Sequence, residues 1–264
     1  MDDAVILRHD AEGIATLTLN RPKNLNPLCD ATLAALRDQI EALKTDTTTR
    51  VVILRGAGKV FCAGHDLREM QAGRAAEDGG KAYFKDLFDR CSAVMLGLQS
   101  IPQPVIAQVH GIATAAGCQL VASCDLAIAA EDTRFGVNGV NIGLFCSTPM
   151  VALTRVIGRK AAFEMLTTGG FISADQAADL GLINRAVPHD DLDAATLTLA
   201  QTIADKLGTA VKIGKRAFYD QIDLPVAEAY AHTGQVMVEN LLHRDTDEGI
   251  NAFLDKRPPD WAPK

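Results

Sequence analysis

Two short segments carry residues whose types and spacing could do chemistry. One is Phe61-Cys62-Ala63-Gly64-His65-Asp66, and the other is His110-Gly111-Ile112-Ala113-Thr114-Ala115-Ala116-Gly117-Cys118-Gln119. Each is a turn of small residues that leaves an apolar run and enters a helix-like pattern. Small side chains leave backbone amides open to a ligand. Two amides aimed at one point make an oxyanion hole, which stabilises the oxygen of an enolate or a tetrahedral intermediate.

The elements that must hold these turns are legible as alternating patterns. Val5–Arg8 and Ile14–Asn20 read as a hairpin with Gly13 in its turn. Asp30 reads as an N-cap, with Leu33, Leu36, Ile40 and Leu43 behind it at helical spacing. Val51–Leu54, Val105–Val109 and Leu126–Ala130 are short apolar runs typical of buried strands. Each leads through a turn to a helical pattern, which predicts an α/β fold with parallel pairing and both turns at strand ends. Beyond residue 148 the strand signal fades. Ser173-Ala174-Asp175-Gln176 is a capping box closed by Gly181, and 190–207, 209–222, 226–243 and a segment from Thr246 read as helices. The expected organisation is an α/β core over 1–190 and a helical oligomerisation region over 191–264.

Composition narrows the classes of partner. The chain has 264 residues, 48% hydrophobic and 22% charged, with a net charge of −7 that argues against nucleic acid as the main partner. No apolar stretch approaches the roughly 18 residues of a membrane span, so no membrane insertion is expected. An acidic start without signal-peptide character and six cysteines without zinc spacing point to a reducing compartment, and a cytoplasmic location is expected. Gly56-Ala57-Gly58-Lys59 lacks the spacing of a phosphate loop and reads as a tight turn.

Taken together, several stretches resemble the crotonase superfamily, the enoyl-CoA hydratase/isomerase family. They are Leu19-Asn20-Arg21-Pro22-Lys23-Asn24-Leu25-Asn26, Phe61 to Leu67, Pro104-Val105-Ile106-Ala107, Val109-His110-Gly111, Cys124-Asp125-Leu126-Ala127-Ile128-Ala129, and Ala252-Phe253-Leu254-Asp255-Lys256-Arg257. Within that family, the runs 115–125 and 139–149 are distinctive and resemble one poorly defined branch. The resemblance implies a spiral of ββα repeats with a C-terminal helical trimerisation region, assembled as a homotrimer or a dimer of trimers. It implies an acyl-CoA thioester substrate, with coenzyme A entering as part of that substrate, and no metal or other cofactor. By position, the oxyanion donors are the amides of His65 and Ala116, the latter opening the helix that contains Gly117. Lys23, Leu25, Ala63, His65, Asp66, Leu67 and Arg68 would line the coenzyme A path. Phe253 and Lys256 would reach coenzyme A from a second copy.

The sequence departs from the family where the chemistry of hydration sits. A hydratase of this family uses two glutamates, and their positions here hold Gln119 and Gly139. Neither an amide nor a glycine exchanges protons near neutral pH. Classical hydration is therefore not expected, and restoring glutamate at both positions is expected to raise it. His65 offers a ring as acid or base, or only packing. Cys146 offers a nucleophile if its pKa is lowered, or an apolar wall. Asn141 offers a hydrogen bond to substrate, or a turn. Asp66 reads as a cap, as do Glu131 and Asp132. The expected activity is decarboxylase-like or thioesterase-like processing of an acyl-CoA. The alternative is an acyl-CoA-binding module with little or no catalysis.

Overall fold

The computed structural model describes residues 4–261. In chain order the elements are β1 (Ile6–Ala11), β2 (Ile14–Leu19), α1 (Asp30–Thr45), β3 (Val51–Gly56), α2 (Leu67–Gly73), α3 (Lys81–Ser100), β4 (Val105–Val109), β5 (Ile112–Thr114), α4 (Ala116–Ser123), β6 (Leu126–Ala130), β7 (Arg134–Gly136), α5 (Ser147–Val156), α6 (Arg159–Thr168), β8 (Phe171–Ser173), α7 (Ala174–Leu180), β9 (Arg185–Val187), α8 (Leu192–Ala204), α9 (Gly208–Gln221), α10 (Val226–Leu241) and α11 (Arg244–Leu254).

The larger sheet runs β1-β2-β3-β4-β6-β9, and the smaller runs β5-β7-β8. The β1–β2 hairpin is antiparallel, and every later pair in the large sheet is parallel. In the chain, β4 of the large sheet is followed by β5 of the small one and then α4; β6 is followed by β7 and then α5.

The continuous apolar runs reflect burial on both faces of the large sheet. Val52, Leu54, Val105, Ala107 and Val109 face the main core with α1 and α3. Their neighbours Val51, Ile53 and Ile106 face Ala200 and Ala204 of α8. Helix α8, which follows the expected boundary at 190, is thus packed on the sheet.

One local expectation needs correction. Cys29, not Asp30, is the N-cap of α1; Asp30 opens the helix, its amide bonded to Glu69 and its carboxylate to Arg90. The short strands β5, β7, β8 and β9 carry three residues each, too few for an alternating pattern to stand out. The capping box at Ser173 and Gln176 is present, and Gly181 ends α7. Among the described residues, no helix is long and apolar enough to cross a membrane.

Candidate active site

The first turn is stitched to the second by backbone bonds. Beyond β3 the chain reaches Phe61 and Cys62, both fully buried. Cys62 bridges Ala113 in parallel register: its amide donates to the Ile112 carbonyl at 3.2 Å, and its carbonyl accepts from the Thr114 amide at 3.1 Å. Gly64 has φ +94°, and a Cβ there would stand 3.1 Å from Ala115 Cβ and 3.4 Å from the Ala116 nitrogen. Only glycine permits that conformation and that approach. A Cβ at Gly117 would meet the Cys62 carbonyl oxygen at 2.3 Å, so the second turn also depends on its glycine. Ala115, at φ 50° and ψ −118°, bends the chain into α4. Asp66 caps α2 by accepting from the Arg68 amide at 2.9 Å, the role expected of it. Among the described residues, the amides of His65 and Ala116 have no hydrogen-bond partner.

A third segment completes the wall. A 3-10 turn over Asn138–Ile142 follows β7, and the chain then runs through Leu144 and Phe145 to Cys146, the N-cap of α5. Together the three segments enclose a cavity of about 480 Å³ lined by Ala63, His65, Ala115, Ala116, Gly139 and Cys146 among others. Leu67, Met70, Phe88, Leu144 and Phe145 make most of its remaining surface apolar. Among the described residues, its wall contains no carboxylate and no Lys or Arg. Its titratable groups are His65 and Cys146.

The electrostatics of both groups follow from burial. His65 Nδ1 lies 3.0 Å from the Leu28 carbonyl oxygen. A carbonyl only accepts, so Nδ1 carries the proton and Nε2 is bare in the neutral ring. Nε2 is buried without a partner, and the ring meets Phe88 edge-on at 5.8 Å. Burial holds this imidazole below its ordinary range, partly offset by the Leu28 bond. Burial likewise pushes the Cys146 thiol up, against a bond from the Gly139 amide. That is the opposite of what a nucleophilic thiol requires, and of the two readings of Cys146 it favours the apolar wall. Asn141 donates from Nδ2 to the Gly169 carbonyl at 3.1 Å, which ties the 3-10 turn to the end of α6 and gives it the turn role.

Both unpaired amides belong to residues lining this mostly apolar cavity, where an N–H can donate to a ligand oxygen. The chain's sequence and shape have relatives. The model for enoyl-CoA hydratase/isomerase matches residues 9–264. The human protein named enoyl-CoA hydratase domain-containing protein 3, mitochondrial, is 45% identical over 95% of this chain and 81% of its own length. The chain belongs to the enoyl-CoA hydratase/isomerase family. Within it, the branch that the runs 115–125 and 139–149 resemble is that of the domain-containing protein 3 relatives. The crystal structure of the human protein superposes with a TM-score of 0.93 at 44% identity, covering 97% of this chain and 100% of that one. A crystal structure of an enoyl-CoA hydratase from Mycobacterium smegmatis superposes with a TM-score of 0.94 at 52% identity, covering 97% and 98%. The expected cytoplasmic location is overturned: the human, mouse and Xenopus relatives are named as mitochondrial proteins. An acidic start and the lack of an apolar span therefore do not place a chain of this kind in the cytoplasm.

Against the family's pattern, the positions of the two glutamates fare differently. At Gly139 the space is taken: a Cβ would sit 2.3 Å from the Leu144 carbonyl oxygen and 2.8 Å from Cys146 Sγ. A glutamate at 139 would have to displace the loop that follows, which weighs against the expected rescue by glutamate at both positions. Gln119 is 5% exposed, its Oε1 is buried without a partner, and it is not among the residues lining the cavity. Of the expected coenzyme A residues, Ala63, His65, Leu67 and Ala116 line the cavity, whereas Lys23, Leu25, Asp66 and Arg68 do not. Leu25 stays adjacent, since its carbonyl accepts from the Ala63 amide at 3.0 Å. Phe253 and Lys256 lie at the end of α11, away from the cavity, with Phe253 83% exposed. Thr114, Asn138, Met70 and Phe88 line the cavity and were not anticipated. Asn138 was within reach of the sequence, standing next to Gly139. Phe88 and Met70 carried no signal, because only packing turns their helices toward the site.

Proposed function

We propose that this chain is an acyl-CoA-processing enzyme in which the amides of His65 and Ala116 hold the thioester oxygen as it gains charge. The observation that supports the reading is the pair of unpaired amides, on two turns joined by the Cys62–Ala113 bridge, both from residues lining a cavity whose wall, among the described residues, has no carboxylate. One such donor is worth about 3–4 kcal/mol to a transition state. The hole serves any reaction that passes through an enolate or a tetrahedral oxyanion. Hydration by the family's route additionally needs carboxylates as acid and base, and among the described residues this wall has none. Decarboxylation does not: a carboxylate next to the thioester leaves as CO2, its electron pair moves into the enolate held by the amides, and the α carbon then takes a proton from water. Thioester hydrolysis uses the same hole but needs an activated water, and Nε2 of His65 is enclosed.

In this reading Ala63 to Arg68, with Lys23 and Leu25, form the coenzyme A path, and a trimer supplies Phe253 and Lys256 from a second copy. Support for assembly comes from α10, which buries none of its residues, and from Tyr230, Leu242 and Phe253, which are 77%, 82% and 83% exposed. Successive strand-strand-helix units would be the turns of the ββα spiral. The test is a mass-spectrometric screen of the purified protein against a panel of acyl-CoA thioesters, scoring binding and turnover. Loss of CO2 or of free coenzyme A with crotonyl-CoA left unhydrated is the expected result. Tight binding without turnover would make the chain an acyl-CoA-binding module. Rapid hydration of crotonyl-CoA would overturn the assignment of the wall.

A further inference from the structure

The cavity wall carries one polar pair that the oxyanion chemistry does not use. Thr114, 8% exposed, donates from Oγ1 to Asn138 Oδ1 at 2.7 Å. This bond joins the second turn to the third segment, since Thr114 precedes Ala115 and Ala116 and Asn138 precedes Gly139. Both residues line the cavity. With Oδ1 engaged, the carboxamide is held in one orientation, and its Nδ2 has no partner among the described residues. The other carboxamide of the 3-10 turn, on Asn141, is spent on Gly169. Asn138 therefore presents two N–H donors in a wall that is otherwise mostly apolar and, among the described residues, has no Lys or Arg.

We propose that Asn138 is a specificity-determining residue that donates to an oxygen on the acyl group, close to the thioester carbonyl, and that Thr114 is its positioning residue. The proposal deepens the acyl-CoA reading and rests on it. The neighbourhood of Thr114 and Ala116 in the chain sets the reach: an acyl oxygen meeting Nδ2 lies near the thioester oxygen held at Ala116. A plain alkyl or alkenyl chain seated over the half-buried Asn138 displaces solvent from these donors without replacing its hydrogen bonds, which costs affinity. A site built to bond a polar group rejects the analogue that lacks it far more strongly than an apolar site rejects an added methylene. Two kinds of acyl group carry such an oxygen: one with a carboxylate on the α carbon, and one with a hydroxyl on the β carbon.

Calorimetric titration distinguishes them and tests the role. The ligands are methylmalonyl-CoA against propionyl-CoA, and 3-hydroxybutyryl-CoA against butyryl-CoA. The wild-type chain is expected to favour the oxygenated member of at least one pair about tenfold, the size of one buried hydrogen bond. The pair that shows it identifies the source of the oxygen. Asn138→Leu should abolish that preference. Thr114→Val should reduce it by releasing the carboxamide, and Thr114→Ser should keep it, a rescue that a purely structural role would not give. Equal affinity within both pairs for the wild-type chain overturns the proposal and leaves the acyl-CoA reading standing, as does a preference that survives Asn138→Leu. No binding of any of the four thioesters overturns both.

Discussion

Ala115 holds φ 50° and ψ −118°, a conformation that a residue with a Cβ adopts at a cost of about 1–3 kcal/mol. It is the bend that frees the Ala116 amide from any backbone partner. Ala115→Gly should relieve more strain than it adds to unfolded-chain entropy, raising stability by about 1 kcal/mol. A urea midpoint that falls would mean the turn is unstrained. Gly64→Ala acts on the same point from the other side, since its methyl would stand 3.4 Å from the Ala116 nitrogen. Turnover should drop about a hundredfold while coenzyme A thioesters still bind, because a blocked oxyanion donor costs mostly the transition state. At Gly139 the effect is on folding. Gly139→Ala forces a methyl against the Leu144 carbonyl and should cost about 1–3 kcal/mol of stability, read as a lower thermal midpoint. Gly139→Glu should not restore hydration of crotonyl-CoA, alone or with Gln119→Glu.

At the scale of elements, α9 is fastened to the sheet by one buried charge cluster. Lys215 on α9 donates from Nζ to the carbonyls of Leu98 and Gln103 at 2.8 and 2.9 Å and to Asp125 Oδ2 at 2.7 Å. Asp125 also accepts from the Val105 amide at the start of β4 and from the Tyr219 hydroxyl at 2.8 Å. The cluster links the end of α3, the entry to β4 and the turn before β6 to the first helix outside the core. Burial pulls the Lys215 ammonium below its ordinary range, while Asp125 supports it. Removing one partner of such a pair leaves the other charge buried and alone. Lys215→Met should therefore lower stability by about 3–5 kcal/mol. Adding Asp125→Asn should recover part of that loss. A double mutant no better than the single would mean that Lys215 acts through packing alone.

Whole-molecule behaviour depends on charge and on the uncovered helices. Burial holds both His65 and His110 below the usual imidazole range. In the unfolded chain each takes up a proton as the pH falls through about 6.5, and in the folded chain only at lower pH. The unfolded state then binds more protons, so their contribution to stability is complete above about 6.5 and is lost as the pH falls through the folded values. Urea midpoints should decline from pH 7 toward pH 5, less steeply in His110→Gln. A flat profile in the wild-type chain would contradict the burial of both rings. The faces of α10 and α11 leave Val226, Tyr230, Leu242 and Phe253 more than 70% exposed in one copy. The trimer proposed above would cover this apolar surface. Light scattering should give a multiple of three chains, and Leu242→Lys should shift the mass toward the monomer and weaken coenzyme A thioesters. A stable wild-type monomer would remove Phe253 and Lys256 from the site.

The sequence by itself determined the α/β class, the parallel strands, the two turns of small residues and the family. Each of these is written in local spacing: Val51–Leu54 and Val105–Val109 are apolar at every position because both sheet faces are covered, and Gly64 and Gly117 stand where a Cβ has no room. Gln119 and Gly139, where the resemblance puts the hydratase glutamates, were equally plain. What only the tertiary structure decided is what fills the resulting space. Leu144 and Cys146 occupy the position beside Gly139, the Cys146 thiol is pushed up rather than activated, and Asn141 is tied to Gly169. Asn138 meets Thr114 across the cavity wall, and α8 folds back onto the sheet. These outcomes depend on which segments distant in the chain are pressed together, and hydrophobic periodicity fixes the face an element buries without fixing the partner it meets.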